Sequence, residues 1–365
     1  MHLLVFSAFA QDTPPPPGGV GGQTFPSLRN PAMSVNGLVL ASATWEDGEL
    51  APPALQAHEE EPAGGHGHGG ESFGTGLSMQ ETELQLKAAV DPYLDANLTL
   101  SMHGIEGIEL EEGIVRLVSL PRVILSVGKI KAPFGRENLA HTHALLTIDR
   151  SLVGQRVFGA EGLNDVAVHG AVLLPAPWYS EVTLGVDAGA NERILGSGLP
   201  GAFGYLGHWK NLVDLSSGTS LEVGVSGYGG LDPFGEIATV GGVDVTLKGH
   251  GRGHRQFNRV IWQSEYLLLR RAGDPEDPVV GGLYSTLEYA LTRRFWLGGR
   301  FDLVGLPEPA DERTWGATAI AIYAPTEFSA IRLQAQRQLL PDGDTVDSVV
   351  SQLNFTIGAH PAHAY

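Results

Sequence analysis

The 365-residue chain contains no cysteine, and this absence removes two kinds of structure at once. Neither a disulfide framework nor a cysteine-based zinc site can form. Long hydrophobic runs are also missing, since no stretch reaches the roughly 18 apolar residues that a membrane-spanning helix needs. Helical membrane proteins are thereby excluded. A β-barrel is not, because it places its apolar residues at every second position.

Basic residues are scarce: 23 Lys and Arg stand against 41 Asp and Glu, which gives a net charge of −18. Nucleic-acid binding requires a basic face and is therefore not expected. The acidity is compatible with solvated loops and with a lumen that attracts cations.

Helix-length periodic segments and catalytic signatures are absent as well. The chain has no Gly-x-Ser-x-Gly elbow, no His-Glu-x-x-His motif and no P-loop. We therefore expect a protein that is not an enzyme. The one enzymatic alternative left open is a hydrolase whose catalytic residues come together only in the folded chain.

What the sequence does contain is alternation of apolar and polar side chains. Near the C-terminus, Leu333 and Ala335 oppose Gln334 and Gln336, and the same period of two recurs through most of the chain. A period of two predicts a strand with unlike faces. A soluble sandwich would alternate in the same way, with its apolar face turned inward.

The connections between the alternating segments distinguish these two folds. Tight turns such as Asp91-Pro92 and Thr292-Arg293 alternate with longer polar segments such as 132–164. Outer-membrane barrels have short periplasmic turns and longer outer loops. We therefore predict an all-β, transmembrane, antiparallel barrel of about 16 strands, at 33–45, 78–90, 93–104, 108–119, 122–131, 165–174, 179–189, 204–215, 219–229, 238–249, 256–269, 279–291, 294–304, 313–323, 327–339 and 347–358.

The N-terminal part is predicted to lie outside the barrel. Residues 1–10 combine a short apolar run with Ala8-Phe9-Ala10, the small-x-small pattern of a secretory signal peptide, although a basic segment before the run is lacking. Residues 11–30 are rich in Pro and Gly and are interpreted as a linker. The barrel is expected to occupy residues 31–365.

Two loops carry candidate sites. The first, after the first strand, contains His58, His66 and His68 among Gly and Glu, which suits zinc or a similar cation; the alternative is a solvated low-complexity loop. The second, 132–164, is partly apolar and long enough to be functional. It is predicted to fold into the lumen as a constriction or lid rather than to project into solvent.

Charged residues in and before this second loop would set the field in the lumen. The candidates are Lys129, Lys131, Arg136, Glu137, Asp149 and Arg150. The alternative is that their ion pairs merely hold a structural lid shut. His141 and His143 in the same loop could bind a cation, so zinc is the one cofactor that the sequence suggests.

Several motifs resemble a group of Gram-negative outer-membrane proteins. They are Gly128-Lys129-Ile130-Lys131-Ala132-Pro133-Phe134-Gly135-Arg136, His141-Thr142-His143-Ala144-Leu145, Ile148-Asp149-Arg150, Gly159-Ala160-Glu161-Gly162-Leu163 and the ending from Leu353 to His363. Members are identified as zinc-regulated, TonB-dependent outer-membrane receptors or as relatives of phosphate-selective porins. The resemblance implies an outer-membrane barrel and metal traffic or regulation. TonB dependence would also require a plug domain and about 22 strands, and only about thirty residues precede the first strand here.

Together these observations predict a porin-like channel in the outer membrane, surrounded by lipid, that passes small hydrophilic solutes and includes metal cations such as zinc among its candidate solutes. The rival is a barrel that captures metal or serves a structural role without conducting. Porins of this strand number are often trimers, so a homotrimer is expected by analogy.

Overall fold

The computed structural model describes residues 31–51, 73–103, 107–196, 202–232, 234–250, 258–272 and 279–358. Within these ranges the chain forms sixteen long antiparallel strands, as predicted. They are β1 (Ala32–Glu46), β2 (Gly76–Ala89), β3 (Leu94–Met102), β4 (Ile108–Leu117), β5 (Val123–Lys131), β6 (Asn164–Leu173), β7 (Tyr179–Asp187), β8 (Gly204–Ser216), β9 (Thr219–Leu231), β10 (Ile237–His250), β11 (Arg259–Arg271), β12 (Val279–Ala290), β13 (Phe295–Val304), β14 (Thr314–Thr326), β15 (Ser329–Leu339) and β16 (Thr345–Gly358).

The sheet closes on itself between its first and last strands. β1 pairs with β16 from Ser34↔Gly358 to Glu46↔Val346, and its other edge pairs with β2. A two-residue strand, Glu49–Leu50, folds back and pairs with the end of β1 at Trp45 and Glu46. Each remaining strand pairs with its neighbours in sequence, so no edge is left unpaired. Closure matters because hydrocarbon cannot satisfy free backbone N–H and C=O groups.

The exterior of the barrel is apolar and the polar side chains point inward. Leu333 and Leu353 on the outer face are 52% and 45% exposed, whereas their neighbours Gln334 and Gln352 are fully buried inside. Because this exposed surface is a continuous apolar band, it requires lipid around it. No helix among the described residues is long and apolar enough to cross a membrane.

Aromatic side chains collect at the strand ends. At the end with the short turns, Trp178 and Tyr289 are exposed, and Phe295 stacks on Tyr323 with ring centroids 4.7 Å apart. At the opposite end, the ring centroids of Trp315 and Phe301 lie 5.7 Å apart. Rings at these depths match the aromatic girdles that anchor barrels at the two membrane interfaces.

The interior departs from expectation, because much of it is dry. The alternation predicts a wet lumen, yet Leu267 and Leu269 of β11 point inward and are 2% and 1% exposed. They belong to one apolar cluster with side chains from residues 132–163 and from the short helix Glu192–Leu195. Chain inserted from the loops fills this part of the bore.

The depth of a residue in the membrane provides a test of the arrangement in which apolar side chains face lipid and polar ones face the bore. Leu333 lies near the middle of β15 on the outer face, and Leu339 lies at the end of the same strand. Leu333→Arg is expected to lower the free energy of unfolding by about 2–4 kcal/mol because it places a charge near the bilayer midplane. Leu339→Arg is the matched control and should cost about 0–1 kcal/mol, since its charge reaches the interface. Denaturant unfolding in lipid vesicles measures both, and equal costs would contradict the orientation.

Candidate functional site

Residues 132–163, called the plug from here on, run from the end of β5 to the start of β6 and fold into the barrel. They contain a 3-10 turn, Thr142–Ala144, and helix α1, Leu152–Phe158. The prediction that this loop folds into the lumen is therefore confirmed by its placement. A second short helix, α2 (Glu192–Leu195), comes from the loop between β7 and β8 and packs beside α1.

One side of the plug is apolar and packs against the wall formed by β8–β13. Val153, Val157 and Leu163 have no exposed surface, and the rings of Phe134 and Phe158 meet edge to face at 5.2 Å. Burying such side chains stabilises the contact by about 1.5–3 kcal/mol each. The wall contributes Leu206, Tyr228, Ala238, Val240, Leu267, Leu269, Val280, Tyr284 and Val304.

The plug holds its own shape through three polar side chains. Asn138 donates to the carbonyls of Ala132 and Leu163 at 2.8 and 2.9 Å and accepts from the Leu163 amide at 2.7 Å, so it joins the two ends of the loop. Glu137 accepts from the backbone N–H and the hydroxyl of Ser151. Ser151 in turn caps α1 by accepting from the Gly154 amide.

Glu265 of β11 anchors the first turn of the plug. Its Oε1 accepts from the amides of Arg136 and Glu137 at 2.7 and 2.6 Å. Gly135 has φ +60°, and a Cβ at this position would lie 2.4 Å from Glu265 Oε2. Glycine therefore supplies both the left-handed backbone and the close approach that this anchor requires.

A buried ionic network, called the latch from here on, holds the middle of the plug to β13 and consists of Asp149, Arg300 and Asp302. Arg300 Nη2 lies 3.0 Å from Asp149 Oδ2, and its Nε donates to Asp302 Oδ2 at 2.7 Å. Asp302 also accepts from the Leu152 amide at 3.0 Å, at the start of α1. Both carboxylates and the guanidinium are multiply bonded, as a stable buried ion pair requires.

Further bonds extend the latch to β15. Gln334 Nε2 donates to Asp149 Oδ1 at 2.7 Å, and Arg332 Nη2 donates to the carbonyls of Leu145 and Leu146 at 2.7 and 2.8 Å. With Glu265 on one side and the strands β2 and β4 on the other, the plug contacts walls that lie nearly opposite each other in the ring. The plug therefore spans the cross-section of the bore.

An acidic cluster from β2 and β4 meets the plug at His141. His141 Nδ1 lies 3.1 Å from Glu83 Oε2 and 3.3 Å from Glu111 Oε1, and its Nε2 lies 3.3 Å from Glu112 Oε2. Lys131 pairs with Glu111 at 2.6 Å. Burial alone would lower the pKa of His141, but the carboxylates of Glu111, Glu112 and Glu83 more than offset this and raise the pKa well above its usual value.

A β-bulge creates the cluster. In the pairing of β3 with β4, Thr99 faces Glu112 and Leu100 faces Leu110, which leaves Glu111 as the extra residue. An extra residue allows two successive side chains to point to one face. Glu111 and Glu112 are both buried on the lumenal side for this reason.

The structure corrects one predicted lumenal residue. Lys129 lies on the outer face, paired across the sheet with Val166, which is 60% exposed, and its ammonium meets Glu109 at 3.0 Å. Lys131 is at the end of β5, where the chain enters the plug, and its ammonium does reach the interior. Strict alternation does not distinguish the two lysines, because they share parity.

The other predicted residues come together in or on the plug. Glu137 and Asp149 are buried there, and Arg150 donates to the carbonyls of Glu137 and Ala140. Arg136 is partly exposed, with Nη1 3.8 Å from Glu222 Oε1. His143 Nδ1 lies 3.4 Å from Glu83 Oε2, and the ring centroids of His143 and His141 are 5.7 Å apart. His58, His66 and His68 lie outside the described residues, as do residues 1–30, so the predictions for them stay predictions.

The sequence-based set lacks several residues of this site, namely Glu83, Glu111, Glu112, Glu265, Arg300, Asp302, Arg332 and Gln334. Strand parity places Glu83, Arg300 and Asp302 on the inner face, but nothing in the sequence pairs them with a loop far away in the chain. The bulge that turns Glu111 inward has no sequence signal that we recognise.

Comparison with known proteins adds a relative and a fold. No family model matches the chain. An uncharacterized protein of Aquifex aeolicus (strain VF5) is 30% identical over 360 residues, covering 84% of this chain and 75% of the relative.

Solved structures with the same fold are outer-membrane proteins. OprB of Pseudomonas putida matches with a TM-score of 0.61 and 9% identity, over 90% of this chain and 94% of that one. An anion-selective porin from Comamonas acidovorans matches with a TM-score of 0.60 and 9% identity, over 90% of this chain and 100% of that one. A trimer form of OmpT of Vibrio cholerae matches with a TM-score of 0.55 and 9% identity, over 90% of this chain and 99% of that one. The fold and the apolar exterior identify an outer-membrane β-barrel; the receptor label suggested by the motifs finds no support in these matches.

The latch can be tested by removing its cation. Arg300→Met leaves Asp149 and Asp302 buried without a counter-charge, which is expected to cost about 3–5 kcal/mol. The cost should appear as faster amide hydrogen exchange over 145–155. Arg337→Met is the matched control, since Arg337 pairs with Asp347 on the exposed outer face and its loss should leave exchange in the plug unchanged. Unchanged protection in Arg300→Met would contradict the latch.

Proposed function

We propose that this chain, which belongs to the same family as the uncharacterized Aquifex aeolicus protein, is a gated outer-membrane channel for small hydrophilic solutes. The observation that carries the proposal is a closed, lipid-facing barrel whose bore is spanned by its own chain. Passage in this scheme requires the plug to shift, and the chemistry is electrostatic selection and size exclusion rather than catalysis.

The division of the plug contacts supports gating over permanent closure. The β8–β13 side is held by a large apolar contact, which is non-directional and tolerates sliding, and by hydrogen bonds from the first turn of the plug to Glu265 and Ser226. The opposite side is held by the latch and by the His141 cluster, which depend on charge, together with a smaller apolar contact of Ile148 with Leu40 and Val350. Breaking the charged side while the apolar side stays packed would swing part of the plug and open a path along β13–β16 and β2–β4.

The charge of the interior favours cations over anions. Among the buried side chains, carboxylates outnumber Lys and Arg, with Glu83, Glu112, Asp244 and Glu288 on the wall and Arg332 among the few opposing cations. An acidic bore concentrates cations and repels anions. Small cations and neutral hydrophilic solutes are therefore the proposed substrates.

A barrel that binds metal without conducting is the second candidate. Its support is the same spanned cross-section together with the carboxylate–imidazole cluster. For either function we propose that this chain forms a homotrimer, by analogy with the trimer form of Vibrio cholerae OmpT.

Conductance in planar bilayers separates the two candidates. We expect the parent protein to give small or brief openings, and a variant in which 137–158 is replaced by a short Gly/Ser linker to give larger, steady ones. Arg300→Met should lengthen the openings, whereas Arg337→Met should behave as the parent protein. If the plug-deleted barrel, shown to be folded by its heat-dependent gel mobility, remained silent, the channel would be ruled out and the binding barrel favoured.

A further inference from the structure

We infer that Glu83, Glu111 and His141 form a binding site for a divalent metal cation of the zinc class, which joins the plug to the barrel wall. One ligand atom from each of the three residues lies within 4.8 Å of the other two. Two of the residues belong to the wall, on β2 and β4, and the third belongs to the plug. The inference does not depend on whether the barrel conducts.

The spacing of the ligand atoms matches a tetrahedral ion. Zinc binds imidazole nitrogen and carboxylate oxygen at about 2.0–2.2 Å, which sets neighbouring ligand atoms about 3.3–3.5 Å apart. His141 Nδ1 lies 3.1 Å from Glu83 Oε2 and 3.3 Å from Glu111 Oε1. The oxygens of Glu83 and Glu111 lie within 4.8 Å of each other, and a water would complete the shell of an ion bound by all three residues.

The site also contains buried polar atoms that nothing in the described structure satisfies. Oε1 of Glu83 and Oε2 of Glu111 have no hydrogen-bond partner among the described residues, whereas Oε2 of Glu83 and Nδ1 of His141 face each other at 3.1 Å. Glu83 is only 2% exposed, and the hydroxyl of Ser101, its cross-strand neighbour, is likewise buried without a hydrogen bond. Buried carboxylates are costly unless they are paired or bind a metal. This group of unsatisfied atoms is an observation independent of the residue types.

The second nitrogen of His141 has the partner that metal-bound histidines usually have. Nε2 lies 3.3 Å from Glu112 Oε2, while Nδ1 faces the proposed ion. A carboxylate hydrogen-bonded to Nε2 fixes the orientation of the ring and makes Nδ1 a better metal ligand. The bulge that turns both Glu111 and Glu112 inward therefore supplies one ligand and one orienting group.

The local charge calls for a cation. Glu81, Glu83, Glu111 and Glu112 are all buried within this cluster, and Lys131 pairs with Oε1 of Glu111, which a bound ion would share. A divalent ion bound among these carboxylates would offset part of the excess of negative charge. Because the ion would bind both plug and wall, its presence should hold the plug in place.

Zinc titration of the purified full-length barrel tests the site, in a background where His58, His66 and His68 are alanines so that the His-rich loop does not contribute. Isothermal titration with zinc chloride is expected to show one saturable site per chain. Glu83→Gln, Glu111→Gln and His141→Gln should each weaken it by at least about tenfold. His169→Gln is the matched control, since His169 is a buried histidine facing a single carboxylate, Asp187, at 2.7 Å; it should bind as the background does.

Absence of saturable binding would overturn the inference, and so would equal binding by all variants. If a variant fails to fold, crystals of the background protein soaked in zinc replace it. Anomalous density about 2.0–2.2 Å from the three ligand atoms would support the site, and density elsewhere or none would overturn it. None of these readouts involves conduction, so failure of the metal site and failure of the channel are distinguishable.

Discussion

Hydrogen bonding of the backbone in hydrocarbon is the constraint on which the rest of this structure depends. A lipid bilayer offers no partner for a free N–H or C=O, so the sheet must close, as it does between β1 and β16. Closure in turn assigns every second side chain to lipid and leaves the bore as the one place for polar groups at membrane depth. Arg332, Glu288 and Gln334 lie buried there for that reason.

Once polar groups are confined to a narrow bore, they need either water or partners. The plug supplies partners on one side of the bore and apolar cover on the other. Asp149 compensates Arg300, His141 faces three carboxylates, and the Phe134 and Val153 side chains cover an apolar wall that would otherwise be wet. The plug and the wall are therefore complementary in charge and in polarity, which is the physical basis for treating the plug as the functional part of the barrel.

The sequence was sufficient to predict the strands, because alternation and the parity of loop lengths are local patterns. It also indicated the plug, because a long loop containing Phe134, Leu145 and Ile148 is too apolar to remain in solvent. It could not predict which parts of the bore are dry, because strand parity puts Leu267 and Leu269 on the inner face but does not show which distant loop residues cover them. It misplaced Lys129 and missed Glu111 because strand ends and bulges break the period of two.

The absence of cysteine makes the central claim directly testable by crosslinking in membranes. A Cβ built on Gly316 of β14 would lie 2.9 Å from Leu152 Cδ1 of the plug, whereas Gly227 of β9 has nothing within 4 Å. The pair Leu152→Cys/Gly316→Cys should form a disulfide on oxidation, and Leu152→Cys/Gly227→Cys should not. Near-complete crosslinking of the first pair alone, read by gel mobility, is the result expected for a plug seated across the bore. Failure of that pair to crosslink in folded barrels, or equal crosslinking of both pairs, would contradict it.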